Sequence, residues 1–228
     1  MLGLSLPPLN DSSVINEQFP AKVGDETILA HKNSWAKRLF DIILSAMVIA
    51  GIMVWLIPLM GLVIRLTSPG PILFIQLRMG RNGRPFKCLK FRTMTYEKNA
   101  QFKQATKNDV RITQVGRFLR KSNLDELPQV LNVLWGDMSI VGPRPHPIQL
   151  DAQHWYTLPG YPNRYAVKPG ITGLAQARGH RGETETLQKM QHRVRLDRFY
   201  IANKSLGLDI KICGWTLTSM IKGDKRAW

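Results

Sequence analysis

Two adjacent carboxylates, Asp125 and Glu126, lie at the start of an apolar run in the segment Ser-Asn-Leu-Asp-Glu-Leu-Pro, which begins at Ser122. A carboxylate can act as a covalent nucleophile toward phosphorus when nearby cations neutralise the phosphate that it attacks. A second carboxylate can hold a divalent cation, and Mg²⁺ suits an oxygen site that touches phosphates. The pair therefore indicates phosphate chemistry, with Asp125 and Glu126 as the catalytic and magnesium-binding candidates.

The same spacing also fits a helix cap. Ser122 would cap the helix and Asp125, three residues later, would reach back to it. Acidic residues are favoured in any first helical turn. Against this alternative, neighbouring side chains on a helix point about 100° apart, so the two carboxylates would not both serve as caps. Both interpretations stay open at the level of sequence.

An arginine held between two prolines is the second candidate. Arg144 lies in Pro143-Arg144-Pro145, where Pro143 fixes its own φ and Pro145 restricts the residue before it to extended conformations. The planar donor fork of an arginine matches a phosphate with two hydrogen bonds. A surface loop that contains an arginine is the plain alternative. Arg92 and Arg120 are weaker candidates, since a single basic residue is more often solvated.

Asp197 falls between Val194 and Ile201 on the apolar face of a predicted helix, where the spacing favours a nonpolar residue. A buried carboxylate must be paired, hydrogen-bonded or bound to metal. A structural ion pair with a core arginine and a role in the site are equally compatible with this position. The five histidines show no spacing typical of metal ligands, and no glycine-rich nucleotide motif is present.

These residues need elements that position them at a surface, and one segment indicates a membrane. From Ile42 to Ile64 there are 23 consecutive residues without a charge. A helix of that length covers about 35 Å, enough for a bilayer core. Basic residues flank both ends, which favours the cytoplasmic side for both. We therefore predict a helix over residues 34–66 that enters the membrane, bends at Pro58 and returns; a buried core helix is the alternative.

The remaining chain predicts a helix-rich α+β domain over residues 67–228. The predicted strands are Ile72–Gln76 and Pro85–Phe91, joined by a hairpin at Asn82-Gly83. Residues 92–110 suggest a short helix and a loop, and residues 167–173 an irregular segment. The predicted helices are 112–121, a leucine-patterned helix from Leu124 that ends near Gly136, then 183–202 and 206–221.

The composition limits the partners. The formal net charge of +16 over 228 residues attracts nucleic acid, anionic lipid or a nucleotide substrate and does not choose among them. Residues 1–33 are polar and acidic and predict a flexible leader. A membrane-tethered nucleic-acid-binding protein explains the charge but leaves the acidic pair and Arg144 unexplained. A non-catalytic scaffold, in which Asp125 is only a cap, is the other alternative.

Five ordered motifs resemble the bacterial sugar transferases, small monotopic phosphoglycosyl transferases that act on polyprenol phosphate. The resemblance runs from about Lys37 to the C-terminus. The motifs are Lys-Arg-Leu-Phe-Asp from Lys37, Lys-Phe-Arg-Thr-Met from Lys90, Leu-Asp-Glu-Leu-Pro-Gln from Leu124, the segment 136–145 and Pro-Gly-Ile-Thr-Gly from Pro169.

The resemblance implies a re-entrant membrane helix, a cytosolic catalytic domain with interfacial helices, and a place on the cytoplasmic face of the bacterial inner membrane. It implies transfer of a sugar 1-phosphate, most simply of a hexose, from a UDP-sugar to undecaprenyl phosphate, with release of UMP, at the first membrane step of exopolysaccharide synthesis. By position, Asp125 resembles the nucleophile that forms a covalent phosphosugar intermediate, and Glu126 its Mg²⁺-linked partner. Arg120 and Arg144 resemble phosphate ligands, and Arg92 and Asp197 match further site positions. Anionic lipid is an expected partner and nucleic acid is not; the oligomeric state stays open.

Overall fold

The computed structural model describes residues 35–98, 105–106, 109–180 and 186–222. The predicted leader, residues 1–33, lies outside the described residues. Most of the described chain is helical, and two small two-stranded sheets accompany the helices. The predicted α+β class with a predominance of helix is therefore confirmed. The helices are α1 (Trp35–Val48), α2 (Val54–Thr67), α3 (Gln114–Lys121), α4 (Gln129–Trp135), α5 (Ile148–His154), α6 (Leu174–Ala177), α7 (Leu187–Asn203) and α8 (Leu206–Lys222).

The first two helices form one long apolar element. A π-helical turn, Ile49–Met53, joins α1 to α2, and the helical run from Trp35 to Thr67 is long and apolar enough to cross a membrane. Only 17% of its most apolar window is buried against the rest of the molecule. A core helix of a soluble domain would be mostly covered, so this finding goes against the buried-core alternative. Pro58 lies inside α2, and the irregular turn precedes it.

The start of α1 is fixed to the rest of the domain by charged side chains. Asp41 is buried, and its carboxylate accepts hydrogen bonds from the Ser139 hydroxyl and the Ile140 amide, both at 3.0 Å. Lys37 donates to the buried carboxylate of Asp209 on α8 at 2.7 Å. The charged residues of the Lys-Arg-Leu-Phe-Asp motif therefore anchor the long apolar helix to the domain.

The predicted hairpin is confirmed. Strand β1 (Leu73–Met79) pairs antiparallel with β2 (Pro85–Phe91), in register from Leu73 opposite Phe91 to Met79 opposite Pro85. Asn82 and Gly83 both have positive φ, 57° and 74°, which asparagine and glycine tolerate best. The pairing fixes the end of β2, where Lys90 lies, and Arg92 follows directly after the strand.

The leucine-patterned segment is not one helix. The segment consists of a 3₁₀ turn, Leu124–Glu126, and then α4. It is divided in this way because Asn123 has left-handed backbone angles and because Pro128 has no amide hydrogen to donate to the preceding turn. The hydroxyl of Ser122 donates to carbonyls of the last turn of α3, so it ends that helix and does not cap the next one. The capping-box interpretation of Asp125 is therefore wrong.

The prediction of an irregular segment at residues 167–173 is also wrong in part. Strand β3 (Ser139–Val141) pairs in parallel with β4 (Gly170–Thr172). The pairing brings two backbones so close that a Cβ on Gly170 would lie 2.1 Å from the amide nitrogen of Gly142. Glycine at these positions is thus required by close approach, and the contact fixes the start of the loop that carries Arg144.

The two C-terminal helices agree with the predictions. The helix predicted over 183–202 is α7, and residues 181–185 lie outside the described part of the chain. The final predicted helix is α8, whose exposed residues include Ile210 and Leu217. In the predicted mixed segment 92–110, Met94 forms a bridge to Ile112, and residues 99–104 and 107–108 are not described.

Candidate active site

Three elements bring one carboxylate and two cations together. Lys90 comes from the end of β2, Glu126 from the 3₁₀ turn and Arg144 from the loop after β3. The Lys90 ammonium donates to Oε1 of Glu126 at 2.6 Å, and the Arg144 guanidinium donates to both carboxylate oxygens, with 2.8 Å from Nη1 to Oε2. The structure therefore unites Glu126 with the proline-flanked arginine that the sequence singled out.

Asp125 lies beside this ion cluster but is not tied into it. Its half-buried carboxylate has no hydrogen-bond partner among the residues that the structure describes. Burial raises the pKa of Asp125 to about 6, and the charge of Glu126 adds to that rise, while Lys90, Arg120 and Arg144 oppose it. A carboxylate oxygen that binds no donor from the described residues and lies near three cations can act as a nucleophile.

Glu126 has the opposite electrostatic character. Burial alone would raise its pKa, but Arg144 and Lys90 hold the pKa of this carboxyl well below its usual value by charge and by hydrogen bonds. Glu126 is thus ionised across the physiological range. The pair contains one carboxylate fixed by cations and one whose protonation changes near pH 6.

Arg120 completes the cationic surroundings of Asp125. Its Nε donates to the Thr93 hydroxyl at 2.9 Å, which fixes the side chain from the segment that follows β2. Its charge lowers the pKa of Asp125, as expected for a guanidinium close to that carboxylate. Gly116 on the same helix packs so tightly on the Thr93 carbonyl that a Cβ there would lie 1.9 Å from the oxygen. The close packing holds α3, and with it Arg120, against the end of β2.

The structure places Arg92 away from this cluster, at the end of α2. Its guanidinium is buried and donates to the carbonyls of Ser68, at 2.6 Å, and of Pro69, with a longer contact of 3.5 Å to Ile64. Cationic donors satisfy the unpaired carbonyls at a helix C-terminus. Arg92 therefore connects the end of the long apolar helix to β2, and its role as a phosphate ligand stays a prediction.

Asp197 has the core ion pair that was one of its two interpretations. It is 2% exposed, and Nε of the buried Arg164 donates to its Oδ2 at 2.7 Å. Burial raises the pKa of Asp197, and Arg164 opposes that rise by charge and hydrogen bonding. Arg164 also donates to the backbone carbonyl of Arg144 at 2.8 Å. Asp197 thus lies behind the site and connects to it through one arginine.

Sequence reasoning missed two residues of this arrangement, Lys90 and Arg164. Lys90 stands in the Lys-Phe-Arg-Thr-Met motif, but a lysine in a chain of this charge gives no signal by itself. Arg164 lies 20 residues after Arg144 in a short 3₁₀ helix, Pro162–Ala166, and no local pattern predicts its burial. Only the tertiary structure connects them to the site.

The acidic pair fits a magnesium ion bound together with phosphates. No group of three or more His, Cys, Asp or Glu side chains that could hold a metal occurs within the described ranges. Mg²⁺ is usually bound by one or two carboxylates together with substrate phosphates and water, so two carboxylates suffice. The oxygens of Asp125 accept no hydrogen bond from the described residues. A carboxylate offers roughly four acceptor sites, which leaves Glu126 capacity beyond Lys90 and Arg144. These two residues would hold the ion.

Comparisons with known proteins agree on one family. The bacterial sugar transferase family model matches residues 32–223. The UDP-glucose:undecaprenyl-phosphate glucose-1-phosphate transferase of Klebsiella pneumoniae is 50% identical over 177 residues, which are 77% of this chain and 38% of that protein. The protein of the same name from Escherichia coli K12 is 48% identical over 188 residues, or 82% of this chain and 40% of its own length.

A shorter relative is covered almost completely. The exopolysaccharide production protein PSS of Rhizobium leguminosarum biovar phaseoli is 42% identical over 194 residues, which are 83% of this chain and 96% of that protein. By contrast, the chain spans about two fifths of the length of the Klebsiella and Escherichia relatives. The similarity to those two proteins therefore concerns only part of their length.

Proposed function

The chain belongs to the bacterial sugar transferase family, and we propose that it transfers glucose 1-phosphate from UDP-glucose to undecaprenyl phosphate and releases UMP. The choice of sugar and acceptor follows the names of the Klebsiella and Escherichia relatives. The observation that carries the proposal is the cluster in which Lys90 and Arg144 fix Glu126 beside Asp125, whose carboxylate accepts no hydrogen bond within the described part of the chain. A nucleophile among cations suits phosphoryl transfer, whose catalysis rests on positioning and on neutralising charge.

In the proposed first step, an oxygen of ionised Asp125 attacks the phosphorus that bears the sugar. A bond forms between Asp125 and that phosphorus, and the bond from phosphorus to the bridging oxygen breaks, so that UMP leaves with the electron pair. In the second step, a phosphate oxygen of undecaprenyl phosphate attacks the same phosphorus. The Asp125 carboxylate is then released, and the product is a lipid-linked diphosphate sugar.

The other residues of the cluster have electrostatic roles in this proposal. Arg120, Lys90 and Arg144 neutralise phosphate charge near Asp125. Glu126 holds Lys90 and Arg144 in place through its two oxygens. Mg²⁺ bound by Asp125 and Glu126 would supply further charge neutralisation on the phosphates.

The proposed function has a direct test. The full chain, reconstituted in lipid nanodiscs with undecaprenyl phosphate and Mg²⁺, is given UDP-glucose, UDP-galactose or UDP-N-acetylgalactosamine, and UMP is measured. UMP release that is fastest with UDP-glucose supports the proposal, and preference for another sugar corrects the substrate. Folded protein that releases no UMP from any of the three would favour the scaffold alternative. Salt-dependent DNA binding by such inactive protein would favour the nucleic-acid alternative.

The pH dependence follows from Asp125. Because burial raises its pKa to about 6 and the attack requires the ionised form, we expect kcat/KM for UDP-glucose to fall as the pH is lowered through about 6. Below that midpoint each pH unit should reduce kcat/KM about tenfold. Steady-state UMP release between pH 5 and 8 measures this profile. A rate that stays constant down to pH 5 would argue against Asp125 as the nucleophile.

We also propose that the long helix enters and leaves the inner membrane on the cytoplasmic side, as a re-entrant element. Both of its ends contact the same domain: Phe40 and Leu44 pack into one apolar cluster, and Ile57 and Ile64 pack into another that contains Phe91. Between them lie exposed apolar residues such as Trp55. An ordinary span would carry one end to the opposite side, away from the domain. The exposed apolar residues of α8 and the net positive charge would hold the domain on anionic lipid.

Cysteine labelling in intact cells tests this topology. Single cysteines replace Trp35 and Leu66, at the two ends of the helix, and Trp55 near its middle, all exposed positions, after Cys88 and Cys213 are changed to serine. An impermeant thiol reagent added from outside should label none of them. After permeabilisation the two end positions should react and position 55 should stay protected by lipid. Reaction at position 35 in intact cells would establish a simple span.

Replacing the proline gives the matched variant for this experiment. Pro58→Leu restores an amide donor and removes the ring clash, so it favours a regular helix through α2. We expect a fraction of the molecules to span the membrane, with new external labelling at position 35. Unchanged labelling of the variant would show that Pro58 does not determine the topology.

A further inference from the structure

The loop that presents Arg144 is held from behind by a buried arginine, Arg164. We propose that Arg164 is a positioning residue for the phosphate-binding Arg144, and that Asp197 acts on the site only by orienting Arg164. The inference rests on the proposed function, since Arg144 must be correctly placed only if phosphates bind in front of it. It assigns a role to a residue that never contacts the substrate.

The contacts of Arg164 reach two separate parts of the molecule, helix α7 and the loop that carries Arg144 and His146. The side chain is only 1% exposed. Nε donates to Asp197 on α7 at 2.7 Å, Nη2 donates to the carbonyl of Arg144 at 2.8 Å, and Nη1 lies 2.9 Å from Nδ1 of His146. The guanidinium is planar and rigid, so fixing one of its donors fixes the directions of the others. The carboxylate on α7 thereby determines where the Arg144 carbonyl is held.

Three consecutive carbonyls of the loop each receive a donor from a different element. The carbonyl of Pro143 accepts from the Gly170 amide of β4 at 2.9 Å, and that of Pro145 accepts from the buried Arg78 of β1. Arg164 binds the carbonyl between them. With φ of both prolines also fixed, little backbone freedom is left around Arg144, and the Arg164 bond is the central one of the three.

The burial of Asp197 supports an indirect role. A side chain that is 3% exposed and paired with Arg164 has no open path to a substrate. Its charge is compensated by Arg164, so a change at Asp197 alters the orientation of that guanidinium first. The site role that the family resemblance suggested for Asp197 is thus explained without contact between Asp197 and the sugar phosphate.

The test combines substitutions at Arg164 with one at Arg144. Arg164→Lys keeps a cation beside Asp197 but cannot also reach the Arg144 carbonyl, whereas Arg164→Met loses both. We expect the lysine variant to recover most of the melting temperature that the methionine variant loses, because it avoids an uncompensated buried carboxylate. Both should lower kcat/KM for UMP release by about 10- to 100-fold, the usual effect of a small misplacement of a catalytic group.

The same substitutions are then made in Arg144→Ala protein. If Arg164 acts through the Arg144 side chain, each Arg164 substitution should change the residual kcat/KM of that variant by less than about threefold. A merely structural residue would lower kcat/KM by the same factor in both backgrounds. Tyr165→Phe is the matched control. It removes a buried hydrogen bond from the residue next to Arg164 to Asp151, but no hydrogen bond to the loop that carries Arg144. It should lower the melting temperature and keep kcat/KM within about twofold.

Two results would overturn the inference: full activity of folded Arg164→Lys, or equal losses in the two backgrounds. If the Arg164 variants do not fold, Asp197→Asn replaces them in the same cycle, because it keeps the shape of the side chain and removes only the charge that orients Arg164. Absence of UMP release by the parent protein would instead refute the proposed function, and the inference with it. The two failures are therefore distinguishable.

Discussion

Asp125→Asn is expected to abolish turnover while leaving the fold intact. The amide keeps the size of the side chain but cannot form the covalent bond to phosphorus, so kcat for UMP release should fall by at least about 10⁴-fold, as for other lost nucleophiles. Measurement of UMP release under saturating UDP-glucose checks this. Glu97→Gln, which removes the same charge from an exposed side chain, is the control and should keep nearly full activity.

The melting temperature of Asp125→Asn, unlike its activity, should not fall. The pKa of Asp125 is raised to about 6 in the folded protein, above the unfolded value near 3.9. The fold therefore favours the protonated form, and this contribution to stability is lost as the pH rises through about 6. Asparagine is never ionised, so the melting temperature of Asp125→Asn should equal or exceed that of the parent at pH 8, with a smaller difference at pH 5. Near-normal UMP release by a folded Asp125→Asn protein would rule out the assigned nucleophile.

Arg144→Lys is expected to fail as a conservative replacement. Arg144 binds both oxygens of Glu126 through its fork, and an ammonium offers one point of charge without the planar pair. In the proposed reaction Arg144 also binds substrate phosphate, and loss of one charged hydrogen bond to that phosphate costs about 1.5–3 kcal/mol, which corresponds to a decrease in kcat/KM of about 10- to 100-fold. Steady-state kinetics with UDP-glucose measures the loss.

The control for this variant is Arg195→Lys. Arg195 lies on the exposed side of α7, where the same substitution changes no ion pair described in the structure. It should leave kcat/KM within about twofold of the parent. Wild-type kinetics for Arg144→Lys would show that position 144 contributes only general positive charge, and that the two-point contact with Glu126 has no part in the reaction.

The parts of the site that the sequence predicted are those that depend on residue type and local spacing. The acidic pair and the proline-flanked Arg144 could be recognised because neighbouring residues carry the signal. The hairpin was predictable for the same reason, since Asn82 and Gly83 define its turn. By contrast, the contact between Lys90 and Glu126 joins residues 36 positions apart, and no local pattern encodes it.

The sequence predictions that the structure corrects also have physical causes. The pairing of β3 with β4 involves two three-residue strands, which are too short to show a period in the sequence. The leucine spacing suggested one helix from Leu124, but the left-handed Asn123 and the missing donor of Pro128 make the acidic pair a separate turn. Burial of Arg164 and its pairing with Asp197 are consequences of tertiary packing alone.

A single-turnover experiment without acceptor tests the covalent intermediate most directly. Protein in nanodiscs that contain no undecaprenyl phosphate is mixed with UDP-glucose labelled in the sugar, and released UMP and protein-bound label are followed together. We expect a burst of UMP, at most one per protein molecule, and a matching gain of one hexose phosphate on the protein, mapped by mass spectrometry to Asp125. Added undecaprenyl phosphate should then transfer the label to lipid. If no UMP appears and no label is bound until the acceptor is present, the sugar phosphate passes directly between the two substrates, and Asp125 forms no covalent intermediate.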